Sequence, residues 1–169
     1  MKTTTMKTAA SFAFIIAMGV GLAACGESAA PAADTASVDP AIKETIETRQ
    51  KNLKDMGAAF KTISDETKKD APDMAAIVPA ADIVQAHATE IGNWFPAGSG
   101  PEAGVKTEAL AKIWEDRATF DAAVAKLQEE AGKLQAAAAS GDAAAVTAQF
   151  PATGGACKNC HDTFRMKKE

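Results

Sequence analysis

An antiparallel bundle of four helices is the fold predicted for this chain of 169 residues, and three observations predict it. Apolar residues recur at steps of three and four over four separate segments. No stretch shows the strict alternation of a half-buried strand. Capping and breaking residues fall between the segments, and the short connections they leave favour antiparallel neighbours.

Asp39-Pro40 pairs an N-cap residue with the one helical position that welcomes proline. Beyond it Ile42, Ile46, Arg49, Leu53, Met56, Phe60 and Ile63 share one face of a first helix running from about 40 to 68. Ile77, Ala81, Val84, Ala88, Ile91 and Phe95 repeat the spacing, but Pro79 would break or kink the first turn, so the second helix is firm only from about 80 to 94. A Pro/Gly-rich connection, Pro96 to Pro101, leads to a third helix of about 106 to 139 carrying Ile113, Phe120, Val124, Leu127, Ala131 and Leu134. Gly141 is a natural stop for it. Asp142 caps a fourth helix that continues to about 167, with an irregularity expected at Pro151 and Gly154-Gly155.

The chain is 47% apolar but only 5% aromatic, without a single Tyr, so its core must come from Ala, Leu, Ile, Val and Met or from something not encoded in it. Its formal charge is −4 and it contains no basic run able to neutralise a phosphate backbone, which argues against nucleic-acid binding. Three cysteines cannot all be used in intramolecular disulfides.

Residues 1–24 read as a bacterial secretory signal: Lys2 and Lys7 without any acid, then an apolar run too short and too glycine-rich for a comfortable membrane span. The run ends in Leu22-Ala23-Ala24-Cys25-Gly26, which resembles the lipobox of bacterial lipoprotein precursors. On that resemblance Cys25 is acylated and becomes the mature N-terminus, anchored by several acyl chains. The alternative is an ordinary signal cleaved near Ala24, with Cys25 a bystander. Gly26 in place of Asp implies, by the same resemblance, sorting to the outer membrane. Without the two signal lysines, 16 basic side chains face 22 acidic ones, a formal −6 for the mature chain. Residues 25–38 have almost nothing to bury and read as a flexible tether, and 39–169 as the folded domain.

Cys157-Lys158-Asn159-Cys160-His161 is C-x-x-C-H, the attachment signature of c-type haem. Two thiols at this spacing reach the two vinyl groups on one porphyrin edge, while the following His turns under the ring to the iron. On a helix 157, 160, 161 and 164 share a face, so Phe164 addresses the same cofactor. A redox dithiol would need no following His, and a zinc site would need a fourth ligand from His87 or the acids. Secretion agrees with haem, which is attached outside the cytoplasm.

With that motif near the C-terminus, four helices before it, and Thr48-Arg49-Gln50-Lys51-Asn52-Leu53-Lys54-Asp55-Met56-Gly57 in the first helix, residues 40–168 resemble the class II c-type cytochromes, that is, cytochrome c′ and its low-spin relatives. Ile113-Trp114-Glu115-Asp116 followed by Phe120 also looks like low-spin members of the class. The resemblance implies one covalently attached haem c with His161 as the axial iron ligand. It also makes Leu53 decisive: low-spin relatives carry there a Met that ligates the iron, whereas cytochrome c′ carries a side chain that cannot. A leucine has no lone pair to give. The expected centre is therefore five-coordinate and open to small uncharged diatomics, NO and CO, under an apolar lid that offers no hydrogen-bond donor to bound O₂.

Met56 lies on the same face and is the alternative sixth ligand of a low-spin one-electron carrier. Arg49, a cation on an apolar face, suits a haem propionate, with Gln50 as a second donor; a snorkelling surface arginine is the other reading. Phe60 and Phe164 are expected to line the haem pocket or simply the core. Arg165, one turn after His161, matches the basic residue the family places beside the proximal face, and is otherwise a solvated arginine favoured by the helix dipole. The expected role is haem binding and electron transfer without enzymatic turnover. Expected partners are a diatomic gas, a periplasmic redox protein, the membrane through the N-terminal lipid and, by resemblance, a second copy of the chain.

Overall fold

The computed structural model describes residues 38–167. The expected signal, Cys25 and the tether up to residue 37 lie outside them. Four long helices carry the architecture: α1 (Pro40–Glu66), α2 (Met74–Glu90), α4 (Arg117–Ala139) and α5 (Ala143–Phe164). A single turn, α3 (Lys112–Glu115), and two short 3₁₀ segments, Ile91–Trp94 and Pro101–Ala103, interrupt the long connection between α2 and α4. Among the described residues there is no strand, only an isolated antiparallel bridge between Ala109 and Arg165. No described helix is long and apolar enough to cross a membrane.

Each long helix starts on an aspartate. Asp39 accepts from Ala41 N–H, Asp73 from Ala75, Asp116 from Thr119, and Asp142 from Ala144 and Ala145. These caps satisfy amides that a helix start leaves unpaired. Asp73 also explains why α2 begins at Met74 rather than near 80: with its first turn capped, the helix accommodates the exposed Pro79 in its interior. Pro151 and Gly154-Gly155 likewise sit inside an unbroken α5, because Val146, Thr153 and Ala156 bury against the bundle on both sides of the proline. Tertiary packing overrides local propensity at both prolines.

The expected third helix is shorter than its periodicity implies. Leu110 N–H donates to Phe164 O at 2.9 Å and Met166 N–H to Glu108 O at 2.8 Å, so the segment before α3 runs extended beside the end of the chain. The same pairing ends α5 at Phe164 instead of about 167.

α1 packs on α2, α2 on α4 and α4 on α5. Gln128 Nε2 reaches Thr89 O and Gln135 Nε2 reaches Asp82 Oδ1, so residue numbers rise along one helix as they fall along the other. The α1/α2 and α4/α5 pairs are hairpins joined by 67–73 and 140–142. Three antiparallel steps make α1 and α5 antiparallel as well. The core runs through Ile46, Ile63, Ile77, Val84, Leu127, Leu134 and Val146, with Phe95, Phe120 and Phe164 meeting edge to face at 5.0 and 5.3 Å.

Candidate functional site

The last turns of α5 present the C-x-x-C-H residues. With about 100° of rotation per residue, Phe150, Gly154, Cys157 and His161 form one ridge, and Cys160 lies on its core side. Cys157 and Cys160 are half-buried, and neither is in a disulfide. Burial pushes both thiols up, Cys160 to about 11 with help from neighbouring Cys157, so they stay protonated at neutral pH. His161 is exposed to solvent along one edge. Its imidazole is held below its usual value first by partial desolvation and then by the Arg165 cation, against the pull of Asp162 and Glu108. A neutral ring keeps a nitrogen lone pair available to a metal.

The facing wall is α1, and its register follows from one contact. Phe60 stacks on Phe150, ring centroids 4.4 Å apart and planes 14° from parallel. A Cβ placed on Gly154 would meet Phe60 Cζ at 3.4 Å. Phe60 therefore sits level with Gly154. Leu53 lies seven residues before Phe60 and His161 seven after Gly154, so in antiparallel helices both stand about 10 Å further along and on matching faces. Leu53 is half-buried against the core. Met56 is three residues from Leu53, about 60° round the helix from it, and only 8% exposed in the core.

Arg49 is buried to 2% exposure one turn before Leu53. Its Nη1 donates to Trp94 O and Ser99 Oγ, its Nη2 to Ser99 O and Thr107 Oγ1, at 3.1 to 3.3 Å. The guanidinium lies 4.6 Å from the Phe95 ring centroid. Its side chain thus ties α1 to the α2–α4 connection, and among the described residues no carboxylate pairs with it. Gln50 Nε2 donates to Lys106 O at 2.8 Å on the same connection. Trp114 Nε1 holds Pro96 O, and Arg117 holds Phe95 O and Gly92 O, from the other side.

Phe164 is buried at the end of α5 against Phe120. Arg165 is not on the helix as the sequence implies: its backbone is extended, it bridges Ala109, and its Nε lies 3.9 Å from Glu108 Oε2. The sequence marks Gly154 only as a helix irregularity and leaves Phe150 unmarked, although Phe150 sits two turns before Cys157 on the same ridge and that spacing points to it. Ser99 and Thr107 carry no periodic signal; only the folded connection brings them to Arg49.

The residues present suit haem. Two neutral thiols and an imidazole lie on the last turns of α5, at the level of the half-buried Leu53 on α1. Other uses of the cysteines fit less well. A redox dithiol or zinc site works through thiolates, and burial here opposes thiolate formation. Among the described residues no group of three or more His, Cys, Asp or Glu could hold a metal ion.

A family model described as cytochrome C′ matches residues 44–165. Cytochrome c′ of Rhodopseudomonas palustris is 37% identical over 126 residues, covering 74% of this chain and 84% of that protein. The crystal structure of cytochrome c′ from Thermochromatium tepidum superposes with a TM-score of 0.70 at 30% identity, covering 75% of this chain and 97% of the other. The nitric oxide complex of a leucine-to-alanine mutant of cytochrome c prime from Alcaligenes xylosoxidans superposes with a TM-score of 0.67 at 29% identity, with the same coverage. Matched across its folded residues, with the attachment sequence at the end of the last helix of a four-helix bundle, the chain belongs to the cytochrome c′ family, whose cofactor is a covalently bound haem c.

Proposed function

We propose that this cytochrome holds a five-coordinate haem iron between α1 and α5 and takes up NO or CO on the face turned toward Leu53. The observation that carries this is the level match of Leu53 with His161 across the cleft. When bound, haem c supplies an iron that ligates diatomics and exchanges one electron. Cys157 and Cys160 hold it to α5 through two thioethers, and His161 gives its nitrogen lone pair from the same wall. Leu53 has only carbon and hydrogen to offer from the other wall. It contributes no ligand, excludes charged molecules from an apolar surface, and gives bound O₂ no hydrogen bond. Met56, three residues on and 8% exposed in the core, is the thioether that the rival low-spin reading would bring to the iron. Arg49 and Gln50 shape the connection at that end of the cleft, Arg165 stands beside the proximal face, and Phe60 and Phe164 close the cleft against the core.

The nitric oxide complexes of cytochrome c prime from Alcaligenes xylosoxidans support the gas-binding half of the proposal. The protein binds and exchanges electrons with a periplasmic redox partner rather than turning over a substrate. Residues 1–24 act as a lipoprotein signal, Cys25 carries the lipid, 25–38 tether and 39–169 fold, which places the domain in the periplasm at a membrane, the outer one by the Gly26 resemblance. A homodimer is supported by the ligand-controlled dimer dissociation of a related cytochrome c′ and by Ile83, a large apolar side chain exposed on α2.

The optical spectrum of the reduced holoprotein tests the proposal. A broad high-spin spectrum that shifts on adding CO is expected. A sharp low-spin α-band indifferent to CO would overturn it and favour a one-electron carrier ligated by Met56.

A further inference from the structure

We propose that Thr107 is a positioning residue for the gas site: its hydroxyl is the central link of a hydrogen-bonded tie that joins α1, one turn before Leu53, to the end of α5, one turn after His161. The inference deepens the proposed function and rests on it for the half that concerns gas entry.

The tie can be followed bond by bond. On α1, Arg49 Nη2 donates to Thr107 Oγ1 at 3.2 Å, and beside it Gln50 Nε2 donates to Lys106 O at 2.8 Å. The same Thr107 oxygen accepts a second bond, from Ala109 N–H at 3.2 Å. A hydroxyl oxygen has two lone pairs, and here a guanidinium takes one and a backbone amide the other. Ala109 is the residue bridged to Arg165. On either side of that bridge Leu110 N–H donates to Phe164 O at 2.9 Å and Met166 N–H to Glu108 O at 2.8 Å. Arg165 N–H in turn donates to His161 O at 3.2 Å. Residues 106–110 belong to neither helix, yet they hold both of them at the level where Leu53 and His161 stand.

Thr107 is half-buried and the bond from Arg49 is charge-assisted, so water competes poorly for the central link. A gas molecule reaching an iron held by His161 has to pass between α1 and α5, and that passage depends on local opening of packed structure. A tie between the two helices opposes such opening. Loosening it therefore speeds entry.

Thr107→Val keeps the shape of the side chain and removes both bonds to its oxygen. Amide hydrogen exchange at Leu110, on the α5 side of the tie, is expected to become about tenfold faster, the size of one net hydrogen bond. CO association with the reduced holoprotein is expected to become about threefold faster or more. Thr107→Ser keeps the hydroxyl and should hold both quantities near wild type. Thr147→Val removes a hydroxyl from the far end of α5, where it donates only to Ala143 O, and should change neither. Met166→Pro cuts the same tie at its exposed end by removing the amide that reaches Glu108 O, and the extended Arg165 backbone, φ −113° and ψ 139°, suits the residue before a proline. It should speed CO association as Thr107→Val does. Links in series fail together, so the double variant should be no faster than the faster single one.

Leu110 exchange unchanged in Thr107→Val overturns the tie. Rate effects that multiply in the double variant show two independent contacts and overturn it as well. Faster exchange with CO association unchanged in both single variants overturns its link to the gas site. Failure of the wild-type holoprotein to bind CO refutes the proposed function, and Leu110 exchange then decides by itself whether the tie is real.

Discussion

A guanidinium at 2% exposure with no acidic partner among the described residues is tolerable in Arg49 because its charge is spread over four hydrogen bonds and two aromatic rings. Desolvation lowers its pKa from the usual value without threatening its charge at neutral pH. Arg49→Ala should destabilise the holoprotein by on the order of 3 kcal/mol in urea unfolding, since it leaves Trp94 O and Ser99 without their donor and opens a void. Arg49→Lys should recover little of that loss, because one ammonium cannot reproduce the planar fork. Leu53 is tested by the opposite kind of change, one that adds a function. Leu53→Met places a thioether opposite His161 and is expected to produce a six-coordinate low-spin spectrum. If the variant stays high-spin, Leu53 does not stand over the iron.

Along the α4–α5 seam the determinant is Glu130, 4% exposed. Its carboxylate accepts from Lys126 at 2.7 Å, Lys133 at 3.0 Å and Gln149 at 2.6 Å, while its backbone carbonyl takes Thr153 Oγ1. These donors, Lys126 first, hold its pKa down to about 2 against an ordinary 4.5. A carboxyl depressed in the folded state gives stability that is fully present above its unfolded pKa and is lost as pH falls through the folded one. The Glu130 contribution should therefore be complete above about pH 5 and fade from there toward pH 2. Glu130→Gln should lower the unfolding midpoint at pH 7 and flatten its dependence over that acidic range. An equally steep acid loss in the variant would assign the sensitivity to other carboxylates, such as Glu66, which caps Asp73 N–H at 3.0 Å.

Three consecutive helix pairs hold the bundle, and the proposed haem cleft lies along the fourth, between α1 and α5. A chain with 5% aromatic residues and many alanines has little bulk to fill such a cleft. Haem supplies a large flat apolar body, and the prediction is that the fold depends on it. A Cys157→Ser/Cys160→Ser variant expressed without attached haem should lose near-ultraviolet dichroism from Trp94 and Trp114 while retaining much of its helical far-ultraviolet signal. Native-like tryptophan packing in that variant would show that the four helices close by themselves.

The amino-acid sequence alone determined the helices, because caps, apolar periodicity and breakers act over a turn or two: Asp39, Asp142 and Gly141 stand where local chemistry puts them. It also made the C-x-x-C-H turn legible, since thioether spacing is written within five residues. It misled at Pro79 and Pro151, and over 106–111, where bonds to the chain end or burial on a neighbouring helix outweigh local preference. Only the tertiary structure decided which element Arg49 clamps and that Phe60 meets Phe150 and Gly154. Those outcomes depend on contacts between residues 45 to 94 positions apart, and no local pattern along the chain encodes a distance of that kind.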